Sequence, residues 1–170
     1  MRNLLLLLLA AASVLAACES MQQAGAPTAA GDLDPGGRGK TRVERVVDGD
    51  TVVLDDIGKS RLIGIDTPEV YGGTVECYGP QASAFAKRVL TPGRRVRYEI
   101  GADPRDRYDR ALIYLWLDDG RFFNAMLLRR GYATPLAIEP NTNRADLFER
   151  MARRAERRGV GMWSAGCSDK

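Results

Sequence analysis

The feature that most constrains the fold is an apolar stretch that runs directly into two carboxylates. Residues 62–65 are apolar or glycine, and Asp66, Thr67, Pro68 and Glu69 follow them. Proline favours an extended conformation in the residue before it and cannot continue a strand. We therefore expect a β-strand that ends here and presents both carboxylates at its end.

A second acidic stretch precedes this one and predicts a hairpin. Asp50 lies before the apolar residues 51–54, and residues 55–60 are rich in turn-forming side chains. If the turn centres near Gly58, antiparallel pairing sets Asp50 opposite Asp66. Two such carboxylates repel unless a cation lies between them. With Arg61 nearby, the pattern predicts a divalent-metal site for an anionic substrate.

One detail does not fit a flat strand. Arg61 and Asp66 are an odd number of positions apart, so an ideal pleat would place their side chains on opposite faces. We expect a bulge or strong coil near Gly64 to bring them together.

The N-terminus reads as a targeting segment. Residues 1–17 have a short charged start and an apolar run too short to span a bilayer, as in a secretory signal peptide. The segment ends in Leu-Ala-Ala before Cys18, which resembles the lipobox of bacterial lipoproteins; a chance cysteine after an ordinary signal is the alternative. Residues 18–39 have the composition of a flexible tether. These features predict an exported, monomeric protein that is held at the cell envelope by a lipid on Cys18.

Residues 40–170 have the length of one compact domain. The formal net charge of +3 is only weak support for a polyanionic partner. The chain has no histidine, which excludes a Cys/His nucleophile. Cys77 and Cys167 are the cysteines outside the signal, and an exported chain favours a disulfide between them over two free thiols.

The periodicity of the sequence predicts a mainly β, α+β domain. The predicted strands cover residues 41–48, 51–55, 60–66, 94–100 and 111–117, and the predicted helices cover 79–90, 122–130 and 143–158. Five short strands with a helix between the third and fourth fit a partly open barrel of the OB type, with two further helices packed on it. We expect Trp116 to lie in the core rather than to stack on a base.

The third predicted helix has an apolar stripe and a face rich in arginine. Such a face is usually solvated, and contact with nucleic acid is the alternative. The arginines are Arg150, Arg153, Arg154, Arg157 and Arg158.

Several motifs together resemble the staphylococcal nuclease (thermonuclease) family. They are Val-Asp-Gly-Asp-Thr-Val at 47–52, Arg61 with Ile-Asp-Thr-Pro-Glu at 65–69, Tyr-Gly-Pro-Gln-Ala-Ser-Ala-Phe at 78–85, Asp-Arg-Tyr-Asp-Arg at 106–110, and Trp-Ser at 163–164. Each string alone is weak, but they occur in family order across most of residues 40–164. The resemblance implies an OB-fold barrel with three helices and calcium-dependent endonuclease activity on DNA and RNA.

The resemblance also implies a role for each matching residue. Asp50 and Asp66, with the backbone carbonyl of Thr67, would bind Ca²⁺. Glu69 would position or deprotonate the attacking water. The remaining roles concern the phosphates: Arg61 and Arg110 would hold the scissile phosphate, and Arg107 and Tyr108 would contact a nucleotide phosphate. In this family the products carry 3′-phosphate and 5′-hydroxyl ends. Asp48 is expected to shape the turn rather than to bind the metal.

Two departures from the family pattern concern substrate binding. Asp109 stands where a glycine is more usual, which adds a negative charge near the predicted phosphate contacts. Residues 132–139 lack the pair of tyrosines that flank the base in the type member. The alternative function is a non-catalytic nucleic-acid-binding lipoprotein, but such relatives typically lose the acidic and arginine residues that this chain retains.

Overall fold

The computed structural model describes residues 33–71 and 75–167. The predicted signal peptide, the lipidation of Cys18 and most of the predicted tether lie outside the described residues, as do the last three residues of the predicted domain. They stay predictions. Among the described helices, none combines the length and the apolar character that crossing a membrane requires.

The core of the molecule is a closed five-stranded barrel in the order β1-β2-β3-β6-β5. All neighbouring strands are antiparallel except β3 and β6, which run parallel. A separate two-stranded sheet joins β4 to β7. The strands are β1 (Arg38–Val46), β2 (Thr51–Leu54), β3 (Gly58–Leu62), β4 (Ile65–Asp66), β5 (Arg95–Arg105), β6 (Ala111–Leu117) and β7 (Thr134–Pro135).

Three α-helices cover the barrel, which confirms the predicted fold class. They are α1 (Gly79–Val89), α2 (Phe123–Arg129) and α3 (Ala145–Arg157), and a short 3-10 helix follows at Gly161–Trp163. The interior holds apolar side chains from both the strands and the helices, including the fully buried Leu115, Phe123 and Phe148. Trp116 is half-buried and stacks on Phe122, with 4.6 Å between the ring centroids, rather than lying inside the barrel.

The observed strands differ from the predicted ones in length. β1 begins at Arg38, two residues before the predicted domain boundary, because Arg38 and Gly39 already pair with Glu99 and Tyr98. β5 continues to Arg105, past the predicted end at residue 100, through an irregularity in its pairing with β6. The short strands β4 and β7 were not predicted, because a strand of two residues shows no alternation of polar and apolar side chains.

The predicted third strand is divided in two at Gly64. This glycine has φ +78°, which ends β3 and turns the chain before β4 begins. A Cβ at this position would overlap the Phe148 ring, so both the backbone conformation and the packing require glycine. The chain therefore departs from a flat strand at Gly64 as expected, but through a turn between two strands and not through a bulge or coiling of one strand.

The predicted pairing of Asp50 with Asp66 is wrong. Thr51 pairs with Arg61 and Leu54 pairs with Gly58, so the register places Asp50 opposite Leu62, whose N–H donates to the Asp50 carbonyl at 2.9 Å. The turn lies two residues earlier than expected, at residues 55–57. We attribute the shift to Ile57, which buries its side chain in the core and thereby closes the hairpin early.

A buried asparagine connects the turn at residues 63–64 to the barrel. Asn124, at the start of α2, donates from its side-chain nitrogen to the Ile63 carbonyl and accepts the N–H of Leu115, both at 3.0 Å. Asn124 is fully buried, so both bonds form in a medium from which water is excluded. The chain that leads into Asp66 is thus held against both β6 and α2.

A disulfide joins Cys77 to Cys167, the two cysteines that the sequence analysis pairs, with 5.5 Å between the Cα atoms. Cys77 lies just before α1 and Cys167 follows the 3-10 helix. The bond therefore ties the loop between β4 and α1 to the C-terminal end of the described chain.

Candidate active site

The innermost part of the site is the buried carboxylate of Asp50. One oxygen accepts both the backbone N–H of Thr67 at 2.8 Å and the Thr67 hydroxyl at 2.9 Å. The other accepts a short hydrogen bond from the Arg61 guanidinium and one from the Thr51 hydroxyl. Burial, the largest effect, raises the pKa of Asp50 to about 7, and Arg61 opposes that rise. More positive charge near Asp50 would therefore favour its ionised form.

The Arg61 guanidinium lies between the two carboxylates of this region. It donates to Asp50 through one terminal nitrogen and to Asp66 through the other, the latter at 2.6 Å. Burial tends to lower the pKa of Arg61, but the two aspartates outweigh it and raise the pKa. We call Asp50, Arg61, Asp66 and Thr67 the carboxylate network. In this network Asp50 and Asp66 both bind the guanidinium of Arg61, although the two aspartates are not cross-strand partners.

Asp48 shapes the turn before β2. Its carboxylate accepts the N–H of Asp50 at 3.1 Å and that of Thr51 at 2.7 Å. Such side-chain-to-backbone bonds are typical of aspartate in turns. This is the geometry that the sequence analysis expects of Asp48.

Glu69 is exposed at the rim of the site, on the loop that leaves β4. Its N–H donates to a carboxylate oxygen of Glu76 at 2.9 Å, and its carbonyl accepts the N–H of Glu76, also at 2.9 Å. Gly79 packs so closely beneath this loop that a Cβ there would approach the carbonyl oxygens of Pro68 and Glu69 to within 2.9 and 2.7 Å. Gly79 therefore permits the loop to lie against the start of α1.

Residues 106–110, which we call the arginine turn, connect β5 to β6. The Asp106 carboxylate accepts the N–H groups of Tyr108 and Arg110, both at 2.9 Å, and the Arg110 Nε at 2.6 Å. Burial acts to raise the pKa of Asp106, but these hydrogen bonds outweigh it and lower the pKa. Arg107 and Arg110 both lie over the Tyr108 ring, at 4.8 and 5.4 Å from its centroid. Asp106 thus orients Arg110 within one turn of chain.

The backbone conformation and the ion pair of Asp109 explain why aspartate is tolerated where the family more usually has glycine. It has φ +60°, the left-handed region that glycine occupies freely and that aspartate tolerates better than most residues. Its carboxylate pairs with Arg105 at 3.1 Å. The charge that the sequence analysis expects to lie near the phosphate contacts is therefore partly neutralised by a neighbouring arginine.

The predicted catalytic and phosphate-binding residues line one cavity of about 710 Å³. They come from β3, from the loop after β4 and from the arginine turn. These lining residues are Arg61, Glu69, Arg107, Tyr108 and Arg110. Asp50 and Asp66 do not line the cavity and reach it only through Arg61.

The residues predicted to bind a metal are oxygen donors, which suits a hard cation such as Ca²⁺. In the part of the chain that the structure describes, no cluster of three or more histidine, cysteine or acidic side chains could hold an ion by itself. Two aspartates and one carbonyl are also fewer than the six to eight oxygens that Ca²⁺ takes. The residues present therefore fit Ca²⁺ only if waters or substrate oxygens complete its coordination and the Arg61 guanidinium, which here lies between the two carboxylates, moves aside.

Sequence reasoning missed several residues that shape the cavity. Asp106 lies inside a quoted motif, and its spacing of four from Arg110 could have indicated the ion pair. Asn141 binds both the N–H and the carbonyl of Asp103, and no local pattern marks it. Leu136 and Ile138 are exposed apolar side chains on the cavity wall, in the segment where the type member has its two tyrosines.

Comparison with known proteins agrees with this geometry. The family model described as staphylococcal nuclease homologue matches residues 59–165. A thermonuclease of Staphylococcus intermedius is 40% identical over 126 residues, covering 71% of this chain and 74% of the relative. A thermonuclease of Staphylococcus hyicus is 35% identical over 164 residues, covering 94% of this chain and 95% of the relative.

A more distant relative has a different size. Endonuclease YhcR of Bacillus subtilis is 32% identical over 135 residues, which cover 72% of this chain but 11% of that protein. The matched region thus also occurs as a small part of a much longer chain. The matched family model and the two thermonuclease similarities agree with the barrel fold, and the chain belongs to the staphylococcal nuclease family.

Proposed function

We propose that the protein is a calcium-dependent nuclease that hydrolyses phosphodiester bonds of DNA and RNA. The observation that carries the proposal is the meeting of Glu69 with Arg61 and Arg110 in one cavity, because these groups come from three separate segments. The thermonuclease and endonuclease relatives support a nuclease function. The products would be a 3′-phosphate and a 5′-hydroxyl.

The two arginines, which both line the cavity, would bind the scissile phosphate. Their planar guanidinium groups remain charged at any physiological pH and form paired hydrogen bonds with phosphate oxygens. Arg110 is held by Asp106, so this side chain need not be ordered when substrate arrives. Positive groups fixed in advance stabilise the charge that accumulates on the phosphoryl oxygens in the transition state.

Glu69 would act on the water that attacks phosphorus. Its exposed carboxylate can accept a proton from that water as the new phosphorus–oxygen bond forms and the bond to the 5′ oxygen breaks. The 5′ oxygen takes a proton from solvent water and leaves as a hydroxyl, and Glu69 returns its proton to solvent. Ca²⁺ bound by Asp50, Asp66 and the Thr67 carbonyl would supply Lewis-acid polarisation of the phosphate.

The substitution Glu69→Gln tests this assignment. It keeps the size of the side chain and removes the proton acceptor, so we expect turnover of single-stranded DNA to fall by about 10²–10⁴-fold. DNA binding should be retained, because Glu69 is not a phosphate contact. Rates would be measured in calcium, and the products would be analysed for a 3′-phosphate.

Lys59→Gln is a suitable control, since Lys59 lies on β3 outside the cavity. Turnover of Glu69→Gln close to that of the control would remove Glu69 from the mechanism. Tight binding of DNA by the unaltered protein without any cleavage would instead favour the non-catalytic alternative.

A further inference from the structure

A second positively charged concavity lies outside the candidate active site. It has a volume of about 350 Å³ and shares no residue with the active-site cavity. We call it the arginine groove. Its lining residues are Arg129, Arg150, Met151, Arg154, Ala155 and Arg158.

The arginines of this groove lack the acidic partner that a neighbouring arginine on α3 has. Arg153, on the same helix, pairs with Glu149 at 3.1 Å. Within residues 33–71 and 75–167, none of the four groove arginines forms a side-chain hydrogen bond or ion pair. All four are exposed, and no acidic side chain lines the groove.

This concentration of charge does not favour folding. Arg150, Arg154 and Arg158 follow one another at intervals of four, so they form like-charged neighbours on one helix face. Like charges at this spacing destabilise a helix. A cation near a helix C-terminus is favourable, which accounts for single arginines at the ends of α2 and α3, but not for Arg150, two turns earlier.

We infer that the arginine groove binds the phosphodiester backbone of a polynucleotide, as an anchoring site separate from the catalytic cavity. Successive arginines on α3 are about 6 Å apart along the helix axis, since each residue rises about 1.5 Å. A row of this kind matches a ligand with regularly repeated negative charges. The choice of ligand rests on the proposed function, because a nuclease must hold a long polyanion.

The shape of the groove favours a strand over an anionic membrane. Met151 and Ala155, half-buried and buried respectively, lie among the four charged side chains. A concave site with an apolar floor and cationic walls can enclose a single strand and contact a base face as well as phosphates. A bilayer surface could touch only the tips of the arginines.

The test compares two double variants of equal charge in the full chain carrying Glu69→Gln, so that DNA is bound but not cut. The first, Arg150→Gln with Arg154→Gln, removes charge from the groove. The second, Arg153→Gln with Arg157→Gln, removes the same charge from α3 outside the groove. Affinity for a labelled 20-nucleotide single strand would be measured against salt concentration, and thermal unfolding would check that each variant folds.

We expect the groove variant to bind about tenfold more weakly than the control near 0.1 M salt. The slope of log affinity against log salt should become shallower by about 1.4, which corresponds to two lost phosphate contacts on a single strand. Equal affinities and slopes for the two variants would overturn the inference. If the groove variant lost binding to phosphatidylglycerol vesicles but kept its affinity for DNA, the groove would be assigned to membranes and the inference would also be overturned.

The outcome is independent of catalysis. If the unaltered chain fails to cut DNA but the groove variant loses affinity, the proposed function falls and the inference stands. If the unaltered chain cuts DNA and both double variants bind alike, the inference alone falls.

Discussion

The carboxylate network, through Arg61, and the arginine turn both contribute to the same cavity but are held in different ways. The network draws its residues from β2, β3, β4 and the segments beside them, and its central carboxylate is 1% exposed. The arginine turn is a single stretch of five residues in which one aspartate holds both the backbone and Arg110. The first therefore depends on the whole barrel, whereas the second is organised locally. Damage to the network should cost stability, and damage to the turn should cost mainly substrate binding and turnover.

The largest effect on stability is expected from Asp50→Ala. The change leaves the buried Thr67 N–H without its acceptor and removes one of the two carboxylates that neutralise Arg61. Breaking a buried charge pair costs about 3–5 kcal/mol. We expect a smaller loss, of about 2 kcal/mol, because Arg61 keeps Asp66 and because burial, which raises the pKa of Asp50 to about 7, already disfavours its ionised form in the folded state.

Denaturant unfolding in the presence of a calcium chelator would measure this loss. Asp55→Ala is the matched control, because Asp55 is exposed at the turn of the same hairpin. A loss below about 1 kcal/mol for Asp50→Ala would show that the network does not support the barrel.

An intermediate effect is expected from Asp106→Ala. The variant loses the hydrogen bonds that fix the turn, worth about 1–2 kcal/mol. Its turnover should fall more clearly, by about 10–100-fold, because Arg110 is no longer held in the orientation that the phosphate requires.

Steady-state kinetics together with thermal unfolding would separate the two losses. Asp109→Asn is the control within the same turn, since asparagine tolerates the positive φ and the variant loses only an exposed ion pair. If Asp106→Ala lowered stability as much as Asp50→Ala while turnover hardly changed, the two regions would not differ as described.

The smallest effect on stability is expected from Arg107→Gln. Arg107 is exposed and its hydrogen bond is to the neighbouring Tyr108, so unfolding should change by less than about 0.5 kcal/mol. Binding to single-stranded DNA should weaken, with a salt slope shallower by about 0.7, as for one lost phosphate contact. An unchanged salt slope would remove Arg107 from the binding surface.

The same contrast explains what the sequence could predict. The arginine turn is local, so its residues stand together in the chain as 106–110 and could be identified as a unit. The network is assembled by register, and a two-residue error in the hairpin turn was enough to misplace Asp50 opposite Asp66. Ile57 is buried at this turn, and its burial depends on tertiary packing that local propensity does not contain.

The barrel itself was predictable because its strands and helices have clear periodicity. β6 was found with its correct bounds, and the three helices within two residues at each end. Three features could not be predicted, because each depends on contacts between residues far apart in the chain. They are the two-residue strands, the extension of β5 and the role of Asn141. The same limit applies to the arginine groove, in which Arg129 of α2 joins Arg150 and Arg154 of α3 and Arg158 just after it.

The most direct test of the account is a calcium titration of single-stranded DNA cleavage by the unaltered protein and by Asp66→Ala. Asp66 is about half exposed, so its loss should leave the fold intact while removing one predicted calcium ligand. We expect cleavage by the unaltered protein to rise with calcium and to stop in chelator, and we expect none by the folded variant at the same calcium concentrations. Cleavage that persists in chelator, or an Asp66→Ala variant with unchanged calcium dependence, would contradict the account.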